Sequence, residues 1–235
     1  AVGSHTNDFG TPGVAEHAIA LETPAQAQRF HRRLVNACLR AHMQDAPLGP
    51  RQLQVAIIGA GATGVELSAE LHNATRTLVS YGLDSIDAKR DIRLNLIEAG
   101  PRILPALPER ISGAAHQLLD QLGVQVHTGA KVTAVGPEGV TLASGELIPA
   151  ELVVWAAGVK APDFLRDLAG LESNRINQLV VEPSRASVQL RNPEPFQGQQ
   201  VSDEVTLALF VARFRRKAGP RGFTPKVVRL TRPAP

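Results

Sequence analysis

The 235 residues contain a single cysteine, Cys38. That excludes an intramolecular disulfide, a Cys-x-x-Cys redox pair and a zinc knuckle. Cys38 lies in "LVNACLRAH", which reads as helix, so it is expected to be a small buried packing residue rather than a nucleophile. The seven histidines lack any ligand spacing such as His-Glu-x-x-His, and no metal site is expected. No stretch approaches the roughly 18 apolar residues of a membrane-spanning helix, the longest being "VTLALFVA". Basic residues followed by an apolar core, the mark of a secretory signal, are also missing, so a cytoplasmic location is expected.

The main body of the chain lacks any basic excess. The net charge of +3 conceals an asymmetry: residues 1–184 hold 15 Lys/Arg against 19 Asp/Glu, whereas residues 185–235 hold 10 against 3. The basicity belongs to the tail, and no nucleic-acid partner is expected. What the chain does have is 43% hydrophobic residues, enough for one sizeable core or two small ones.

"AVGS" reads as a strand end and turn, and "NDFGTPGV" as an irregular loop. Thr23-Pro24 then supplies an N-cap and a first-turn proline. Phe30, Leu34, Cys38 and His42 follow at i, i+4 spacing, predicting a helix of about twenty residues that ends at the linker "QDAPLGPRQ". "LQVAIIG" is rich in β-branched residues and suits a central parallel strand. The helix after it carries Val65, Leu67, Leu71, Leu78 and Val79 on its apolar period. "DIRLNLIEAG" is a second strand. A helix with Ile111, Ala115, Leu118 and Leu122 inward follows, closed by Gly123 as a C′ residue. "VQVHTG" is a third strand. "KVTAVGPEGVTLASGELIPA" reads as an antiparallel meander, and "ELVVWAAG" as a returning buried strand. The fold class is therefore α/β: a Rossmann-like parallel sheet with helices on both faces plus a β-meander.

Gly59, Gly61 and Gly64 form Gly-x-Gly-x-x-Gly between a strand and a helix. The first glycine permits the tight turn, the second lets a pyrophosphate approach the backbone, and the third lets the helix pack on the strand. The open helix N-terminus then offers N–H groups and a positive dipole end to phosphates. Glu98, ending the second strand, can accept from both adenine-ribose hydroxyls and would repel a 2′-phosphate, favouring NADH over NADPH. Its plainer reading is an exposed turn acid. Arg102 lies near enough to attract a phosphate instead. Glu66, read as two residues into the helix, either complements the dipole or reaches toward the nicotinamide. Ala157 and Gly158, in "WAAG", sit where the carboxyl edge of the sheet should be, and their small size lets a cofactor pass close. Trp155 reads as core packing in preference to a stacking platform.

Residues 1 to about 184 resemble the type II (alternative) NADH:quinone oxidoreductases, single-chain flavoproteins with two dinucleotide-binding domains. The words that carry the resemblance are "AVGSHTNDFGTPGVAEHA", "RFHRRLVNACLRAH", "VAIIGAGATGVELSAELHNA", "LIEAGPRILPALPERIS" and "VVWAAGVKAPDFL". The resemblance implies that Gly3 and Ser4 end an FAD-domain strand and that residues 1–50 are the remnant of that domain with its connecting helix. Residues 51–184 would hold the inserted NADH domain and the start of the return to the FAD domain. It implies that Gly59, Gly61, Gly64 and Glu98 bind NADH and that Glu66 is a carboxylate near nicotinamide and flavin. The implied chemistry is hydride transfer from NADH to FAD, then reduction of a membrane quinone, on the cytoplasmic face of the inner membrane; a homodimer is an allowed assembly.

The family's upstream FAD glycine turn and downstream Gly-Asp flavin motif have no counterpart in the chain. An isolated NADH-binding domain without turnover is therefore the alternative reading. A flavoprotein reductase of a protein electron carrier is a third, while the lack of a cysteine pair argues against a disulfide reductase. Residues 185–235, with 6 prolines, are expected to be a disordered or frameshifted tail. Within it, "VTLALFVARFRRK" sets an apolar run beside basic residues in the manner of a membrane-surface segment.

Overall fold

The computed structural model of the chain describes residues 5–160. Gly3, Ser4 and the basic tail lie outside the described residues.

The elements open with β1 (His5–Thr6), the single turn α1 (Val14–His17), β2 (Ala18–Ile19) and α2 (Pro24–Met43). The alternating core follows: β3 (Gln54–Ile58), α3 (Ala62–Val79), β4 (Arg93–Ile97), α4 (Glu109–Gln121) and β5 (Gln125–His127). The meander is β6 (Val132–Gly136), β7 (Gly139–Leu142) and β8 (Leu147–Pro149), after which come β9 (Leu152–Trp155) and β10 (Val159–Lys160).

α2 begins as its sequence demands. The Thr23 side chain accepts from the Gln26 N–H at 3.2 Å and the Gln26 side chain accepts from the Thr23 N–H at 3.0 Å, a complete capping box followed by Pro24. Phe30, Leu34, Ala37, Cys38 and Ala41 are its buried face. Cys38 is wholly enclosed; burial first, and the Glu151 charge second, push its thiol up to about 11. It is a packing residue.

The five-stranded parallel sheet has the order β2-β9-β3-β4-β5. β3 is central and its last four residues are buried, Val55, Ile57 and Ile58 each contributing about 2 kcal/mol by removal from water. From β3 the chain steps to β4 and β5 on one side, then crosses to β9 on the other, where β2, from earlier in the chain, completes the sheet. The sheet therefore has a topological switch point between β3 and β9. Its edge strand is built from Ala18–Ile19, inside the stretch that the sequence reading set before the nucleotide-binding body.

One face of the sheet, Ala56, Ile58, Ile97, Val153 and Trp155, forms a core with Val132, Val135, Val140, Leu142 and Ile148 of the meander and Val14 of α1. The helix on this face is thus only a single turn. Leu96 points the other way, toward α3. Trp155 is buried, with its indole N–H donating to the Asn7 carbonyl at 3.0 Å, which bears out core packing.

Two details of the helical pattern differ from expectation. In α4, Leu118 is 47% exposed whereas Leu119 is 1% exposed, and the buried line runs through Ser112 and Leu119. Ser112 faces inward because its hydroxyl donates to the Ile103 carbonyl at 2.6 Å. In α3, Ser68 and Thr75 share the buried face with Val65, Ala69 and Leu71, their hydroxyls satisfied by the Gly64 and Leu71 carbonyls. α4 ends as predicted: Gly123 has φ +77, and the N–H groups of Gly123 and Val124 close back onto the Asp120 and Leu119 carbonyls.

Candidate functional site

The turn from β3 into α3 lies at the carboxyl edge of the sheet. Gly59 has φ +98, and a Cβ there would stand 2.7 Å from the Ala157 backbone. A side chain on Gly64 would stand 1.9 Å from the Gly59 carbonyl oxygen, so α3 sits directly on the turn. Gly61 is different: a Cβ there would meet nothing. It is the N-cap of α3 and provides no side-chain cap for the first N–H groups of that helix; of the first helical residues, Ala62 and Thr63 are exposed and Gly64 is buried. The three glycines therefore take three physical roles: left-handed turn, open approach and close packing.

Glu98 follows β4 and reaches back to this turn. One carboxylate oxygen accepts from the Ala60 N–H at 2.8 Å, the other from the Gly100 N–H at 2.7 Å. Ala60 is held from its other side as well, its carbonyl accepting from the Leu104 N–H at 2.8 Å. Leu104 is buried with φ 48, and the loop carrying it is tied down by Arg102, whose guanidinium donates to the Leu104, Pro105 and Leu107 carbonyls at 2.7–3.1 Å. Arg102 is committed to this loop and does not point its donors at a phosphate site. Ala60 and Leu104 were not singled out from the sequence; no local pattern marks them, because their role arises only when the turn and the loop meet.

On the β9 side, Ala157 packs against Gly59, and Gly158 adopts φ +69 with its carbonyl accepting from the Asn7 N–H at 3.2 Å. Segment 5–9 is sewn onto this strand end by the β1–β10 pairing His5↔Lys160 and Thr6↔Val159. Glu66 is half-buried and lies five residues into α3, which begins at Ala62. It belongs to the second turn, where the dipole effect has faded, so the first-turn reading of this acid is corrected.

At the opposite, amino edge a cavity of about 520 Å³ is lined by Gln54, Arg93, Asn95, Gln125, His127 and the β8 strand. His127 Nε2 and Asn95 Oδ1 pair there at 3.1 Å, and this edge holds none of the residues expected to bind a nucleotide. Among the described residues no group of three or more His, Cys, Asp or Glu could hold a metal ion, and no helix is long and apolar enough to cross a membrane.

A central parallel strand, a glycine-opened helix and an acid ending the next strand, all at a switch point, define a dinucleotide-binding α/β domain. The sequence profile of the pyridine nucleotide-disulphide oxidoreductases matches residues 1–189, and the chain belongs to that family. It is 40% identical over 194 residues to the type II NADH:quinone oxidoreductase of Haemophilus influenzae, covering 77% of this chain and 44% of that protein. It is 35% identical over 174 residues to the mitochondrial external alternative NAD(P)H-ubiquinone oxidoreductase B1 of Arabidopsis thaliana, covering 71% and 30%. The fold is similar to that of NDH2 from Plasmodium falciparum in complex with NADH, with a TM-score of 0.62 at 22% identity, covering 70% of this chain and 34% of that one. The chain thus spans less than half the length of these relatives.

Proposed function

We propose that the chain is the NADH-binding portion of an FAD-dependent NADH:quinone oxidoreductase. The observation that carries this is the pairing, across Ala60, of the uncapped α3 N-terminus with Glu98. The N–H groups that open α3 at Gly61 would hold the pyrophosphate, aided by the positive end of the helix. Glu98 spends one lone pair of each oxygen on the Ala60 and Gly100 N–H groups, which aim the carboxylate and leave further lone pairs for the two ribose hydroxyls. A 2′-phosphate brought to that carboxylate would be repelled, and Arg102 has its donors engaged elsewhere. When bound, the two cofactors would supply hydride and electron transfer toward a quinone, the chain's own residues serving to hold and orient the NADH. Ala157 and Gly158 would border the cofactor on the β9 side, Ala157 packed on Gly59 and Gly158 beneath the Phe9 ring. Glu66 would present a carboxylate toward the nicotinamide end, and Gly3 and Ser4 would belong to the FAD side. A peripheral position on the membrane that holds the quinone accords with this reading.

Titrating the chain with NADH and NADPH, following nicotinamide fluorescence, tests the nucleotide assignment. NADH is expected to bind at least about tenfold more tightly, since a phosphate dianion set against a carboxylate costs well over 1.4 kcal/mol. Equal affinities would overturn the role given to Glu98. Adding FAD and a soluble quinone separates two readings of the chain alone: a stoichiometric yellow complex with NADH-dependent quinone reduction would sink the reading as an isolated nucleotide-binding module, whereas a colourless chain that binds NADH without turnover would sink self-sufficient catalysis.

A further inference from the structure

We propose that Phe9 is the apolar wall against which the nicotinamide half of the dinucleotide rests; this builds on the NADH reading above. Glu98 ends β4, on one side of β3, and the open α3 N-terminus lies at the end of β3 itself. With adenine ribose on the β4 side and pyrophosphate at α3, the remaining half of an extended dinucleotide must run over β9, on the far side of the switch point. The residues at that end are Ala157, Gly158 and, laid over Gly158, Phe9.

Phe9 is costly for the fold to keep as it is. Its backbone has φ 53, in the left-handed region that a bulky side chain rarely enters, and its side chain is 65% exposed. The conformation is nevertheless enforced. The Phe9 N–H donates to Asn7 Oδ1 and the Gly10 N–H to Asp8 Oδ1, each at 3.0 Å, while Asn7 is bonded through its own N–H and carbonyl to Gly158 and Trp155. The ring comes so close to the strand end that a Cβ on Gly158 would stand 2.4 and 2.6 Å from two of its carbons. Gly158 therefore provides room for the ring, and the ring keeps an apolar face in solvent beside the nucleotide edge. The nearly planar dihydronicotinamide ring is the part of NADH on this side that such a face suits.

The test compares NADH with ADP-ribose, which shares the adenine ribose and pyrophosphate but has no nicotinamide. In the full 235-residue chain, Phe9→Ala is expected to weaken NADH about two- to tenfold, the range of one aromatic contact, and to leave ADP-ribose unchanged. Phe9→Tyr, which keeps the ring, is expected to restore NADH affinity. Equal weakening of both ligands would make Phe9 a mere support of the loop and overturn the proposal, as would no change in either. If the unaltered chain binds neither ligand, the dinucleotide reading itself falls and the proposal with it; if it binds both and only the Phe9 effect is missing, the Phe9 wall alone falls.

Discussion

The central strand β3 has a glutamate at each end, and the two differ in what holds them. At the amino end, Glu151 accepts from the Leu53 N–H at 2.9 Å with one oxygen and from the Arg40 guanidinium at 2.5 Å with the other. At the carboxyl end, Glu98 accepts from two backbone N–H groups and meets no cation. Both carboxylates hold the strand in place. Only Glu98 stands beside an uncapped helix N-terminus and keeps acceptor capacity facing it. The contrast separates a carboxylate that the fold pairs with a cation from one that it orients with backbone N–H groups alone.

The contrast breaks most severely if the turn that Glu98 grips is displaced. Gly64→Val would press a side chain into the Gly59 carbonyl, backbone against packed helix, and is expected to cost about 3 kcal/mol of stability, read as a lower urea midpoint. Gly61→Ala puts its methyl into open space at φ −71, so stability should hold within about 0.5 kcal/mol while NADH affinity falls. Two glycines three residues apart would thus divide stability from binding. Equal stability losses would show that the turn is packed as a whole and that Gly61 is not an approach for ligand.

Exchanging each glutamate for glutamine sharpens the comparison directly. Glu98→Gln turns one acceptor into a donor facing an N–H group, and is expected to cost about 1.5 kcal/mol and to narrow the preference for NADH over NADPH. Glu151→Gln loses chiefly its charge opposite Arg40, whose side chain is 60% exposed, and is expected to cost under about 1 kcal/mol. Its nucleotide affinities should be unchanged. A loss of NADH preference in Glu151→Gln would erase the distinction.

The pieces of this site were legible in sequence to different degrees. Gly59, Gly61, Gly64 and Glu98 stood out because a turn and a strand end are local features with local chemistry. The Thr23-Pro24 start of α2 was legible for the same reason. Ala18–Ile19 was not: two residues have no period, and they form a strand only because β9 offers an open edge. Arg102 looked like a free cation near a phosphate site, since nothing in the sequence shows the three carbonyls that occupy it. The inward line of α4 was misjudged by one residue because Ser112 is buried through a hydrogen bond that hydropathy does not register.

A further test addresses the amino end alone and appears only at alkaline pH. The Cys38 thiol is raised from 9.0 to about 11, by burial and then by the Glu151 charge. A raised folded-state value means that the unfolded chain releases this proton first. The contribution of Cys38 to stability is therefore intact below pH 9 and lost progressively as pH rises from 9 toward 11. Urea unfolding across this range should show a decline that is shallower in Cys38→Ala, where the titrating group is gone, and that ends at a lower pH in Glu151→Gln, where one of the two causes is removed. Glu98→Gln, at the other end of β3, should leave the alkaline slope unchanged. A slope that responded to Glu98 and not to Glu151 would mean that the two ends of the strand are coupled, and the division between a carboxylate held by a cation and one held by backbone alone would fail.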